Sequence, residues 1–403
     1  MDRTRPLRIV HCVRSPIGGI FRHIADLATA QAQSGHQVGI ICDSTTGGAF
    51  EARQIEDLAP RLPFGIHRYP MQRAISPSDL RLTLSLVDRL RGLDLDVLHG
   101  HGAKGGAHAR VIGTILRLGG RRVVRIYCPH GGSLHFDADT AEGRTYFRLE
   151  RMLERATDAL VFVSDYEAEM YRRKVCPPST HFRRVYNGLK PEEFAPLRPR
   201  EGMADLMFAG MMRDLKGPQI LIEALPVLAA THGLTPTVRF VGAGEDRVAY
   251  EARVAALGLA DRVTFHDPMP TRQALSQGRI LVVPSLAESM PYLVLEAVAA
   301  RIPMVATRVG GVPEIFADRS ARLVPPQDPK ALAAGIAAVL THEAGARADA
   351  EEFGADITGR FSIARMSSDI EALYYDLLIP RRPTVVDTSS RPAPIGRLTA
   401  GGS

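Results

Sequence analysis

The chain has 403 residues, 45% hydrophobic and 23% charged, and its 50 Lys+Arg against 44 Asp+Glu leave a formal net charge of +6. At about 150 residues per domain that is two to three domains with ample apolar material for real cores, so a peptide, a disulfide-stapled mini-protein and a disordered chain are excluded. No run approaches the roughly 18 consecutive apolar residues of a membrane span, and MDRTRP leads straight into LRIVHCV without the apolar stretch of a signal peptide, so a cytoplasmic protein is expected.

In chain order, short apolar runs alternate with amphipathic segments. Strands are expected at residues 8–13 (RIVHCV), 38–42 (VGIIC), 97–101 (VLHGH), 123–128 (VVRIYC) and 160–164 (LVFVS), with helices at 19–33, 77–91 and 141–155 between them. Strand alternating with helix reads as βαβ units on a parallel sheet. A pause at 187–199 (NGLKPEEFAPLRP), with three prolines, precedes a second series at 206–210 (LMFAG), 238–242 (VRFVG), 263–266 (VTFH), 280–284 (ILVVP) and 304–307 (MVAT). Residues 362–378 carry apolar side chains at helical spacing behind a serine suited to capping, and Pro380 ends them. The tail 380–403, rich in Pro, Ser, Thr and Gly, is expected to be disordered. The four cysteines (Cys12, Cys42, Cys128, Cys176) are far apart and form no Cys-x-x-Cys pair, which favours buried free thiols over a zinc site or disulfides.

Chemistry concentrates in residues 284–314. Pro291 opens a helix, where its missing N–H costs nothing, so the amides of Met290, Tyr292 and Leu293 gather at a helix N-terminus, a natural phosphate site. Glu296 stands about one turn further in, and because helical side chains lean toward the N-terminus its carboxylate returns to the mouth that Glu288 flanks. Two acids beside an anion site suit hydroxyl-rich groups attached to the phosphate; each alone reads as a solvated surface carboxylate. Upstream, Arg213 and Lys216 in FAGMMRDLKG follow a strand and offer two cations to a diphosphate, or form a solvated turn. In the first half, Gly18 and Gly19 of SPIGGI let backbone approach a ligand closely or simply make a tight turn. His130 lies in CPHGGSLHF at the carboxyl end of a strand, where open parallel sheets bind ligands.

Taken together these segments resemble the retaining glycosyltransferases of family 4, which have the GT-B fold. The resemblance rests on a Glu-x7-Glu pattern at Glu288 and Glu296 behind a strand ending in Pro284 and Ser285, followed by Gly310, Gly311 and Glu314, and it extends over about residues 7–378. It implies an α/β chain of two facing Rossmann-like domains, each a doubly wound parallel sheet: residues 1–190 for the acceptor and 191–361 for the donor, with a crossover helix at 362–379 completing the first. It implies transfer of a hexose-type sugar from a UDP- or GDP-sugar to a hydroxyl with retention of configuration, without metal or cofactor. By the same resemblance Glu288 sits at the donor sugar and Glu296 at the ribose. Arg213, Lys216 and the amides of Met290, Tyr292 and Leu293 hold the diphosphate, Gly18 and Gly19 lie by the sugar phosphate, and His130 lies close to the donor sugar. His101 is placed toward the acceptor, with a histidine satisfied in the core as the other reading. One departure matters: the family's Gly-Phe-Gly after the first Glu is Ser289, Met290 and Pro291 here. It keeps open a sugar-nucleotide-binding protein of the same fold without catalysis.

Charge is unevenly shared. Residues 1–195 hold 28 Lys+Arg against 21 Asp+Glu, a net of +7, and the remainder nets −1. Arg144, Arg148, Arg151 and Arg155 recur at helical steps within the basic half. They make either a solvated face or a surface that docks on an anionic membrane to reach a lipid-linked acceptor, as cell-surface polysaccharide or glycolipid synthesis would need. The isoelectric point near 9.3 comes with no nucleic-acid motif, so no such partner is expected.

Overall fold

In the computed structural model, residues 5–198 and 201–379 are described; the tail placed at 380–403 lies outside them. The first sheet comprises β1 (Arg8–Val13), β2 (Gln37–Asp43), β3 (Gly65–Tyr69), β4 (Val97–His101), β5 (Val124–Cys128), β6 (Ala159–Phe162) and β7 (His181–Arg184). The second comprises β8 (Ala204–Ala209), β9 (Val238–Val241), β10 (Val263–His266), β11 (Gly278–Val283) and β12 (Met304–Ala306). Every pairing is parallel, and the orders are β3-β2-β1-β4-β5-β6-β7 and β10-β9-β8-β11-β12. The order reverses between β1 and β4 and again between β8 and β11. At such switch points the loops leaving the strand carboxyl ends diverge to either face and open a crevice for a ligand.

The apolar runs form the inner strands because helices cover both faces, so β1, β4, β5 and β11 are buried almost throughout. Strands β3 and β7 escape a sequence reading because they are short, polar edge strands; β7 reads HFRR and is largely exposed.

The helix Ile363–Leu378 returns to the first sheet. Ser362 caps it by accepting from the Arg365 amide at 3.3 Å. Tyr375 donates its hydroxyl hydrogen to the Arg5 carbonyl at 2.7 Å, and Arg183 reaches the Asp369 carbonyl at 2.9 Å. One apolar cluster runs from Leu7, Ile9 and Ile24 through Met290, Tyr292 and Val294 to Met366 and Tyr374, so the packing is continuous from one sheet to the other. Cys12, Cys42 and Cys128 are buried free thiols in this architecture and Cys176 is half-buried. Among the described residues no helix is long and apolar enough to cross a membrane.

Candidate functional site

The loops at the two switch points face each other. On the second domain, the chain leaves β8 through Gly210 into a short turn, Asp214–Lys216, whose N-cap is Arg213. Lys216 Nζ donates to both oxygens of Glu288, at 2.6 and 2.8 Å, and Ser285 Oγ donates to Glu288 Oε1 at 2.8 Å. Cation and carboxylate therefore neutralise each other before any ligand arrives. Arg213 makes no ion pair among the described residues, and its Nε is buried without a hydrogen-bond partner. That leaves one full positive charge available to an anion at this spot. Pro291 caps the helix Tyr292–Ala299, so the amides of its first turn have no acceptor within the helix. Gly19 of the first domain comes within van der Waals distance of the Tyr292 ring, 3.7 Å from a Cβ placed there, which sets the glycine loop against that helix.

Opposite stands the loop after β5. His130 adopts φ 51° and Gly131 follows at φ 77°. For a histidine the left-handed region costs about 1–3 kcal/mol and persists only where the surroundings enforce it. Glu167 does so: its buried carboxylate accepts from the Gly131 amide and, at 2.9 Å, from the Val163 amide. Burial pushes the Glu167 carboxyl up to about 7 against those two hydrogen bonds. Ser133 is tied to Glu150 at 2.9 Å, and Glu150 is held in turn by the fully buried Arg110 at 2.8 Å. The same loop presents His135, an exposed side chain whose pKa is lowered by partial desolvation and by Arg213 and Lys216, against the pull of Glu288. His135 is thus a first-domain group within electrostatic reach of Arg213, Lys216 and Glu288. No motif marks it in the sequence, although it lies five residues beyond His130 in the same segment.

His130 and His101 belong to a different constellation. His101 is wholly buried, its Nε2 3.0 Å from His11 Nδ1 and its Nδ1 3.0 Å from His130 Nε2. Each of its ring nitrogens thus faces a neighbouring imidazole rather than solvent. His130 itself is half-buried, and burial together with His23 holds its pKa well below the usual imidazole value, so it faces the cleft as a neutral ring.

Glu296 is not at an open mouth with Glu288. It is buried and ion-paired to Arg22, which projects from the helix Gly18–Gln33 of the first domain. The Arg22 guanidinium also bonds Glu193 at 2.5 Å, lies 3.4 Å from Asp26 and stacks 4.4 Å from the centre of the Tyr292 ring. Lys190 adds a second cation, 2.7 Å from Asp26. Three carboxylates thus share two cations. Burial pushes Glu296 up to about 7, with Glu193 adding to the rise and Arg22 opposing it. Burial works against the charged Arg22 too, but its three carboxylates more than offset that.

Two further contacts join the halves. Asn187 accepts from His23 Nδ1 at 2.9 Å and donates to the Met290 carbonyl at 2.7 Å. Glu314 accepts from the amides of Asp165 and Tyr166, at 2.9 and 2.8 Å, at the start of a first-domain helix. On the helix Ala141–Glu154, Arg144, Arg148, Arg151 and the following Arg155 are exposed. Arg151 folds back to the Val175 carbonyl at 3.0 Å, whereas Met152 on the same surface is 54% exposed.

Two doubly wound sheets whose switch-point loops face each other, tied by a helix that returns to the first, make the GT-B architecture. A family model described as Glycosyltransferase Family 4 matches residues 17–193, and one described as Glycosyl transferases group 1 matches residues 204–342. A glycogen synthase of Mycobacterium tuberculosis is 26% identical over 379 residues, spanning 89% of this chain and 91% of its own. A D-inositol 3-phosphate glycosyltransferase of Paenarthrobacter aurescens is 26% identical over 411 residues, 91% of this chain and 95% of that one. The crystal structure of HepE from Anabaena in complex with UDP-glucose superimposes with a TM-score of 0.76 over 92% of this chain and 100% of that one, at 18% identity. The chain is a GT-B glycosyltransferase of the family 4 type.

Proposed function

We propose that the chain transfers a hexose from a UDP- or GDP-sugar, with retention of configuration and without a metal, to a hydroxyl of a lipid-linked or glycan acceptor. The observation that carries this reading is the unpaired Arg213 guanidinium beside the Lys216–Glu288 pair, next to a helix N-terminus and across the cleft from His135. Breaking the bond between the anomeric carbon and phosphate leaves charge on the diphosphate. Fixed cations and unpaired amides stabilise that charge as it develops, which is the service a divalent ion performs elsewhere. A diphosphate arriving on Lys216 loosens its hold on Glu288 and frees that carboxylate for sugar hydroxyls. The acceptor hydroxyl then attacks from the side the diphosphate leaves, its proton passing to the departing phosphate oxygen, so the new bond keeps the old configuration. His130 is neutral, so it contributes hydrogen bonding rather than charge, and it suits a sugar hydroxyl better than a phosphate. The relatives named glycogen synthase and D-inositol 3-phosphate glycosyltransferase, and the UDP-glucose held by HepE, support a nucleotide-sugar donor.

Incubation with a panel of UDP- and GDP-hexoses tests the proposal through slow release of UDP or GDP. A chain that neither binds nor turns over any of them, or whose binding survives Lys216→Ala and Arg213→Ala, refutes it. Binding without transfer to any acceptor would instead support a silent sugar-nucleotide-binding protein. The exposed arginines beside Met152 favour an acceptor at an anionic membrane on the cytoplasmic side. Co-sedimentation with liposomes that is indifferent to anionic lipid would remove that part.

A further inference from the structure

Five histidines from four segments meet under the cleft: His11 on β1, His23 on the helix that follows, His99 and His101 on β4, and His130 on the loop after β5. The His130 ring lies 4.6 Å from that of His23 and 5.2 Å from that of His101, and the His23 and His101 rings are 5.7 Å apart, centre to centre. One nitrogen from each of these three falls within 4.8 Å of the other two.

The hydrogen bonds decide which nitrogens carry protons. The Met290 carbonyl can only accept, so the Asn187 amide nitrogen donates to it at 2.7 Å and the Asn187 oxygen faces His23 Nδ1 at 2.9 Å. His23 must hold its proton on Nδ1, which leaves the lone pair on Nε2, a buried atom with no partner. A second chain acts on His101. Gln31 Oε1 accepts from His11 Nε2 at 2.9 Å, so His11 Nδ1 is an acceptor and His101 Nε2 donates to it at 3.0 Å. The lone pair of His101 therefore sits on Nδ1, aimed at His130 Nε2, 3.0 Å away. Two lone pairs, each fixed by an amide-anchored partner on the far side of its ring, thus belong to rings that pack against the third imidazole. Outer hydrogen bonds of this kind orient ligating histidines.

We propose that His23 Nε2, His101 Nδ1 and His130 Nε2 form a binding site for a borderline-soft divalent cation of the zinc class. Neutral imidazoles suit Zn²⁺, Co²⁺, Ni²⁺ and Cu²⁺, whereas Mg²⁺ and Ca²⁺ want oxygen. Burial keeps all three rings in the uncharged form that a metal requires. His130, the half-exposed member, is the way in. Coordination moves the His130 proton from Nε2 to Nδ1, with no net proton released, and a water completes a four-coordinate shell. The site shares no residue with the Arg213 and Lys216 cluster and has the wrong ligands for a diphosphate counterion. Its effect is to immobilise His130, so zinc would inhibit transfer.

The test uses the full chain without an affinity tag, freed of metal by chelation and titrated with Co²⁺, whose visible absorption reports imidazole coordination, then with Zn²⁺ in competition. One equivalent is expected at micromolar affinity. His23→Gln and Asn187→Ala should each weaken binding tenfold or more. His99→Gln, which belongs to the neighbouring trio of His11, His99 and His101, should leave it intact. Asn187→Asp, which still accepts from His23 Nδ1, should retain binding and serves where the alanine variant folds poorly. No cobalt spectrum with the wild-type chain, binding undiminished in His23→Gln, or loss in His99→Gln would each overturn the assignment. The readout is the metal itself, so it stands or falls independently of the transferase reading.

Discussion

Glu296 gives the sharpest quantitative test. Its carboxyl, ordinarily near 4.5, is pushed up to about 7 by burial between the domains. A group whose pKa rises on folding is protonated in the native state at pH values where the unfolded chain has already released the proton. Its contribution is therefore fully favourable below about pH 4.5 and is lost as pH rises toward 7 and above. The slope is about 1.4 kcal/mol per pH unit within that window, which sums to roughly 3 kcal/mol at the upper end. Glu296→Gln keeps the side-chain volume and an oxygen for Arg22 but removes the titration. Near pH 4.5 the two proteins should be equally stable. By about pH 8 the variant should be more stable by an amount on the order of 3 kcal/mol, since Arg22 retains Glu193 and Asp26.

Urea unfolding followed by far-UV circular dichroism, at steps from about pH 5 to about pH 8, measures the difference in midpoint between the two chains at each pH. Parallel curves would show that Glu296 is ionised throughout, and a variant weaker at every pH would show that the Arg22 pair acts as a full ion pair. Either result refutes the account of three carboxylates sharing two cations. The resemblance puts Glu296 at the nucleotide ribose. If nucleotide binding draws it out of the Arg22 pair, binding should release a proton near neutral pH, measurable as a buffer-dependent heat in calorimetry.

Lys216→Ala should lower kcat/KM for a nucleotide sugar by roughly 10²–10³, the usual cost of losing one fixed donor to a developing charge; a change under tenfold would remove Lys216 from the clamp. Gly310→Ala should be severely destabilising, by roughly 2–4 kcal/mol, because φ is 55° and the new Cβ would lie 1.5 Å from the Glu288 carbonyl oxygen; an unchanged melting temperature would contradict the packing of that loop. Glu314→Ala strips two acceptors from the start of the helix Asp165–Lys174 across the domain boundary, which should cost about 1 kcal/mol and expose the inter-domain linker to limited proteolysis. Wild-type resistance would mean that Glu314 does not hold the two halves together.

What the sequence could disclose follows a physical line between local and register-dependent information. The boundaries of β1, β4 and β10 are legible to the residue because an apolar run flanked by turn residues is a local signal, and Arg213, Lys216 and Glu288 stand out because each lies in the loop that follows a strongly apolar strand. Partnerships are not local. That Glu296 answers to Arg22 rather than to solvent depends on how one domain lies on the other, and neither helix carries a sign of it. The histidines make the same point more strictly. In the sequence His11, His99 and His101 are three side chains in two apolar runs. The parallel pairing of β1 with β4 sets His11 opposite His99 and Val13 opposite His101, and the two-residue period of a strand puts all three imidazoles on one face. Slipping that register by one residue would turn the β4 pair away from His11 and break the Gln31–His11–His101 chain of hydrogen bonds. The cluster is therefore a property of strand order and register together, and the lone pair that His101 turns toward His130 belongs to the fold rather than to any motif.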